Sequence, residues 1–307
     1  QVTIYGADGS NGVILVTTKS GSNNKPLAIS ARVNFGVATI DKSTEFRMMS
    51  QEQYLAVAKE AWTNAGNSLK TFPYQDNDYN SYSTTDTDWS KEYLGVGTNL
   101  YADLSLTSGT KKTSNYVTGS YYKTDNTVKS DSQQRFSFRT RNSYDFTKWL
   151  RFNAQLSASY NTNNLFPLYR GFLETLPIFE PYLSDGSFRL YNKVYDEASG
   201  GWVMRKFTKN EVPAREANTN TQRSVMTSAN FSVEAKIFDG LKFTSQYAID
   251  YTHSHEDIYY SRTTLSGMDS AGNPKGSSRR ADASYMNWTN VERLNYDKRF
   301  ADRHNVS

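Results

Sequence analysis

The chain contains no cysteine and only three histidines among its 307 residues. The first absence excludes disulfide frameworks, thiol catalysis and Cys-ligated zinc. The second leaves little room for histidine-based metal or acid–base sites. No apolar run comes near the roughly 18 residues that a membrane-spanning helix requires. An excess of one charge is missing as well. The 35 basic and 31 acidic side chains are interspersed, and a net charge of +4 does not indicate a nucleic-acid partner. Hydrophobic residues reach only 37%, yet 22 Tyr and 16 Phe are present, and a disordered chain is poor in aromatics. Rich in Tyr, Ser, Thr and Asn, and free of Cys, the composition suits a β-protein. The chain opens on Gln1 with no charged segment and apolar stretch of a signal peptide behind it, and it closes on His304-Asn305-Val306-Ser307. Both ends are abrupt and read as those of a piece of a longer chain.

What is present is alternation with period two. From Leu150 one face reads Leu150, Phe152, Ala154, Leu156, Ala158 and Tyr160, and the other Arg151, Asn153, Gln155, Ser157 and Ser159. Phe136, Phe138, Tyr144 and Phe146 alternate with Arg135, Arg139 and Arg141 in the same way. Val225 to Ile237 and Leu241 to Tyr251 repeat the pattern. Further strands are expected over 27–40, 98–108, 113–125 and 280–297, with a ninth beginning at His304. Several runs exceed ordinary soluble strands and match the length needed to cross a bilayer at a tilt. Short connections (108–111, 147–148, 239–240, 298–303) alternate with long ones (41–97, 126–133, 164–221, 261–280). That parity belongs to a transmembrane barrel, with short turns at one end and long loops at the other. The expected fold is therefore all-β: an antiparallel transmembrane β-barrel segment. Its apolar face meets lipid, and Arg139, Arg141, Asn153 and Gln155 face the lumen. A large soluble antiparallel sheet is the alternative.

Near the start stands Ile4-Tyr5-Gly6-Ala7-Asp8-Gly9-Ser10-Asn11-Gly12-Val13-Ile14-Leu15-Val16-Thr17-Thr18-Lys19, a Gly/Asn-rich turn feeding an apolar strand. As a phosphate loop it is poor, since neither Lys-Ser/Thr nor a helical pattern follows. The stretch closely resembles the end of the plug domain of TonB-dependent outer-membrane transporters, in the SusC/RagA branch of Bacteroidetes. Tyr5, Gly6, Asn11 and Gly12 carry the motif, and Asp8 departs from it. Thr87-Asp88-Trp89, Gly109 to Tyr122, Arg135-Phe136-Ser137, Trp149-Leu150, Asp239 to Phe243 and His304 to Ser307 resemble later segments of the same family, with Ser108 replacing a glycine. The resemblance implies a plug end over 1–21 and the first part of a barrel of roughly 22 strands over 22–307. It implies an outer-membrane importer energised through TonB, by a segment not in this chain. A SusD-like surface lipoprotein would close its mouth, and oligosaccharides or peptides would be its cargo. Rival readings are a siderophore or cobalamin receptor, a small self-closed barrel acting as an adhesin, and a soluble glycan-binding protein. The small barrel needs pairing between 27–40 and 280–297.

Candidate sites lie in the long loops. Ser50 reads as a helix N-cap with Gln53 completing a capping box, followed by an apolar stripe of Tyr54, Leu55, Val57, Ala58 and Ala61. The stripe either packs the loop or docks the lipoprotein. Aromatics gather at Tyr79, Tyr82, Trp89, Phe166, Tyr169, Phe179, Tyr182 and Trp202. Such rings either stack on cargo or a partner, or form a loop core. Tyr144, Phe146, Trp149 and Phe152 belong to an aromatic girdle at the short-turn end. His253 and His255 share a strand face but lack a third positioned ligand. Asp76, Asp78, Asp86 and Asp88 suggest loop calcium without its spacing motif. No nucleophile elbow or catalytic grouping is present, so neither enzyme activity nor a cofactor is expected.

Overall fold

A computed structural model of the chain describes residues 19–41, 48–166, 171–300 and 304–306. The motif residues Tyr5, Gly6, Asn11 and Gly12, with most of the expected plug segment 1–21, lie outside them, as does Tyr169. The elements in chain order are β1 (Ala28–Ala38), α1 (Gln51–Asn64), α2 (Trp89–Tyr93), β2 (Gly97–Gly109), β3 (Thr113–Asp125), β4 (Ser132–Asp145), β5 (Leu150–Asn164) and α3 (Gly171–Glu174). They continue with β6 (Tyr191–Asp196), β7 (Gly201–Lys206), α4 (Val212–Ala217), β8 (Thr219–Phe238), β9 (Leu241–Tyr260), β10 (Ser277–Tyr296), β11 (Lys298–Phe300) and β12 (His304–Val306).

Eight strands form one antiparallel sheet in the order β1-β2-β3-β4-β5-β8-β9-β10. Neighbours in sequence are neighbours in space, except that the hairpin β6–β7 is inserted in the connection between β5 and β8. The turns at 110–112, 146–149 and 239–240 share one end. Asp239-Gly240 is a two-residue turn, and Gly240 takes φ +91°, which a side chain disfavours. Gly109 serves a different need. A Cβ there would lie 2.1 Å from the Ser22 carbonyl oxygen, because the segment leading into β1 crosses the β2–β3 turn. Lys25 O accepts from Gly109 N at 2.9 Å, and Asn24 N donates to Thr110 O at 3.1 Å.

Register sorts the side chains into two faces. One row across all eight strands reads Ile29, Leu106, Val117, Thr140, Leu156, Ala229, Ile249 and Trp288. The adjacent row, pointing the other way, reads Ser30, Ser105, Thr118, Arg139, Ser157, Ser228, Asp250 and Asn287. The apolar face is exposed: Leu156 is 40% accessible, Ile249 47% and Trp288 68%. A bare apolar face of this extent meets lipid. On β5 it runs from Leu150 to Tyr160, which at ~3.3 Å per residue and a tilt of about 40° rises roughly 25 Å, the height of a bilayer's apolar band. Tyr144, Phe146 and Trp149 sit exposed at the short-turn end, where the girdle was expected.

The small self-closed barrel is overturned. β1 and β10 stand at opposite ends of the sheet and do not pair. Strand bounds follow the expected ones closely, but β8, β9 and β10 each run to 20 residues, past the apolar band and into the long-loop side. The expected ninth strand is a three-residue segment, 304–306, that among the described residues pairs with β11 alone.

Arginine at position 156 would face the middle of the lipid. In the full-length protein Leu156→Arg is expected to cost about 2–4 kcal/mol in urea unfolding from lipid vesicles. Ser157→Gln, one residue along on the other face, should leave the midpoint unchanged; equal effects would contradict the assignment of faces.

Candidate functional site

Two surfaces on this frame can meet a ligand: the polar face of the sheet and the long-loop end. Arg139, Arg141, Asn153 and Gln155 all lie on the polar face by register. Arg139 lines a cleft of about 710 Å³ together with Arg32, Asp103, Arg135, Ser157 and Asp250, and Lys19 reaches the same cleft. Arg32 Nε stands 3.2 Å from Asp103 Oδ1. Asn153 lies outside the cleft's wall, donating to Ser232 Oγ and Glu234 Oε1 at 3.1 Å each.

The loops fold into an assembly with a core of its own. α1 begins as expected, with Ser50 Oγ accepting from Gln53 N and the Gln53 side chain accepting from Ser50 N. Its packed positions are Tyr54, Leu55, Ala58 and Trp62, set against Phe72, Tyr82 and Ile178. Val57 is exposed and Ala61 lies off this stripe, so the expected apolar face is turned by one position toward Trp62. A second cluster joins Trp89, Tyr93, Phe207 and Val212, and Phe179 packs against both.

The ligand reading of several aromatics is thereby corrected. Tyr82 is 0% exposed and Trp89 2%, so neither ring has a face to offer a sugar. Tyr82 donates its hydroxyl to Lys193 O at 2.8 Å, and Trp89 Nε1 donates to Leu176 O at 3.0 Å. Both bonds tie the 39–96 loop to the 165–218 loop. Phe179 packs edge-on against Tyr74 and Tyr82 and tilted against Phe207. Tyr79 is half-buried with the Arg189 guanidinium 5.2 Å from its ring centre. Tyr182 donates its hydroxyl to Glu216 Oε1 at 2.6 Å. Trp202 keeps an exposed edge and packs edge-on against Tyr195 across the β6–β7 hairpin. Phe166 packs on the second cluster. Sequence reasoning missed this hairpin, α2, α4 and Glu211. The only local signals were Asp88 as N-cap of α2 and Pro213 at the first turn of α4.

The four loop aspartates are separately engaged. Asp76 accepts from Ser83, Asp78 pairs with Lys193, Asp86 accepts from Gln51 N and Asp88 caps α2. Among the described residues no group of His, Asp or Glu is arranged to hold a metal ion. His255 lies between Asp257 and Asp282, while His253 bonds Ser284.

No profile of a known protein family matches the chain. Curated relatives do. TonB-dependent receptor P26 of Formosa agariphila is 23% identical over the whole chain, and TonB-dependent receptor SusC of Bacteroides thetaiotaomicron is 27% identical over 44% of it. The chain is a homologue of the TonB-dependent receptors. It spans 29% of the length of the first of these relatives. Among solved structures it is similar to the RagAB peptide importer in its closed-closed state, with a TM-score of 0.76 over 98% of the chain and 36% of that one, at 19% identity. The open-open state gives 0.74 over 99%. The eight-stranded sheet of this receptor homologue thus carries the fold of part of a transporter barrel.

Burial pushes the Tyr93 phenol up to about 12, against the opposing effect of the Glu211 N–H that donates to its oxygen at 2.8 Å. A phenol whose folded pKa exceeds its unfolded value stabilises fully below about pH 10 and loses that contribution as pH climbs toward 12. Amide protection over 171–218 in the full-length receptor, taken relative to the intrinsic exchange rate at each pH, is expected to fall in that window. The same segment should loosen at neutral pH in Trp89→Ala, which removes about 3–5 kcal/mol of packing. Unchanged protection in that variant would mean the ring is not part of the loop core.

Proposed function

We propose that the chain forms part of a SusC-like outer-membrane importer. It takes up oligosaccharides or peptides, is energised through TonB and works with a SusD-like surface lipoprotein. What carries the reading is the coincidence of two things: similarity to TonB-dependent receptors over the whole of these 307 residues, and a sheet with one apolar face and one polar face. The long loops form a packed rim at one end of the sheet, at the mouth where a lid would seat. The exposed side of α1, including Val57, belongs to that rim. Cargo would pass along the polar face past Arg139 and Arg135 once the plug moved. On this reading the protein works by binding and passage, without chemistry on the cargo. Among receptor relatives, likeness to SusC and RagAB favours this reading over a siderophore or cobalamin receptor.

The test is a gene deletion in the native host, complemented with the full-length protein. The expected result is a growth defect on an oligosaccharide or a peptide mixture as sole carbon source. A heat-modifiable outer-membrane band about three times the mass of these 307 residues should be lost with the gene. Normal growth on both carbon sources, or a protein absent from the outer membrane, would overturn the reading.

A further inference from the structure

Where the 165–218 connection folds back on the sheet, a second cavity opens, of about 390 Å³. Its walls include the apolar groups of Phe166, Pro213, Ala214, Ile258, Tyr260 and Leu265. Register puts Ile258 and Tyr260, with Asn220 opposite Ile258, on the same face as Ser228 and Arg139. The cavity therefore lies on the polar side of the sheet, at its long-loop end.

Two residues of this wall hold buried oxygens without partners. Glu211 Oε2 and Asn220 Oδ1 have no hydrogen-bond partner among the described residues. A buried acceptor left unpaired destabilises the fold, so its persistence calls for a role. Desolvation holds the Glu211 carboxyl above the ordinary carboxylate range, with Lys209 pulling it down and Glu174 pushing it up. Lys209 is itself bound to Glu174, so it is not available as a full counter-charge. The result is a desolvated acid group on a cavity wall without a full counter-charge.

We propose that this cavity binds a primary ammonium group on an apolar stem, the amino terminus or a lysine end of a peptide, with Glu211 as counter-ion and Asn220 as second acceptor. The apolar walls accept the stem, and the carboxylate accepts the head through a charge-assisted hydrogen bond. Thr208, Asn218, Thr219 and Ser266 also line the walls and offer partners to a sugar's hydroxyls, so what singles out an amine is its charge opposite Glu211. The inference rests on the importer reading and narrows its cargo.

The experiment uses the full-length receptor, purified in detergent with its lipoprotein, and isothermal titration with a Leu-Ala-Leu-Ala-Leu peptide, free or N-acetylated. The free peptide is expected to bind at least about tenfold more tightly, since a lost charge-assisted bond at a buried carboxylate is worth that much. Glu211→Gln should abolish the preference, and Glu211→Asp, which keeps the charge, should retain part of it. A heat-modifiable band for each variant reports that it has folded. Equal binding of the two peptides, binding of neither, or a preference that survives in Glu211→Gln overturns the proposal. So does Glu211-dependent binding of maltoheptaose without an amine preference. The growth assay judges the importer reading separately: a receptor that supports growth yet ignores the amine fails only here.

Discussion

The inter-strand hydrogen-bond ladder is what the rest of this structure depends on. In hydrocarbon no water satisfies a backbone N–H or C=O, so every such group must find a partner in a neighbouring strand. The eight-stranded sheet does this for all but its two edges, β1 and β10. Once the ladder is made, period-two alternation has one consequence. Apolar side chains such as Leu156 and Ile249 fall on the lipid side, and Ser157 and Arg139 fall on the other. The sheet consequently has almost no buried apolar core. Among the described residues, the buried hydrophobic side chains include just one on a strand of the sheet, Ala235; the rest belong to the loops.

That inversion explains why the loops carry so many aromatics. Outside the bilayer water returns, and a connection of this length must be ordered by burying apolar surface. Leu55, Phe72, Tyr82 and Ile178 form one cluster and Trp89, Tyr93, Phe207 and Val212 another, with Phe179 packed on both. Polar ties reinforce the join. Asn210 Nδ2 donates to Pro181 O and Arg189 O at 2.9 Å each, and Arg189 in turn pairs with Glu180 at 2.7 Å. The two longest connections thus behave as one folded rim on the strand ends. The cavity beside Glu211 exists because this rim meets the polar face of β8 and β9 there.

Much of the strand framework was legible because its cause is local. A side chain's face follows from its parity alone, so Leu150 to Tyr160 could be sorted without knowing any neighbour. The turn at Asp239-Gly240 and the capping box at Ser50 are also local, since each depends on residues at most three apart. The aromatics were not legible in this way. Trp89 and Tyr82 look like ligand platforms in a list of residues, because their partners Leu176 and Lys193 lie about a hundred positions away. The β6–β7 hairpin was missed for a related reason: its strands are short, and Tyr191 to Asp196 acquires its neighbours from the 39–96 loop.

By itself, then, the sequence determined the strand pattern, the two faces, the alternation of short and long connections and the helix start at Ser50. It also carried the likeness to TonB-dependent transporters, because motif residues keep their order along the chain. Only the tertiary structure decided which loop aromatics are core, that β1 and β10 do not close on each other, and that Glu211 and Asn220 come to share one cavity wall. The physical reason is range. Alternation and capping act over a few residues, whereas burial and the loss of a hydrogen-bond partner depend on segments that meet only when the chain has folded.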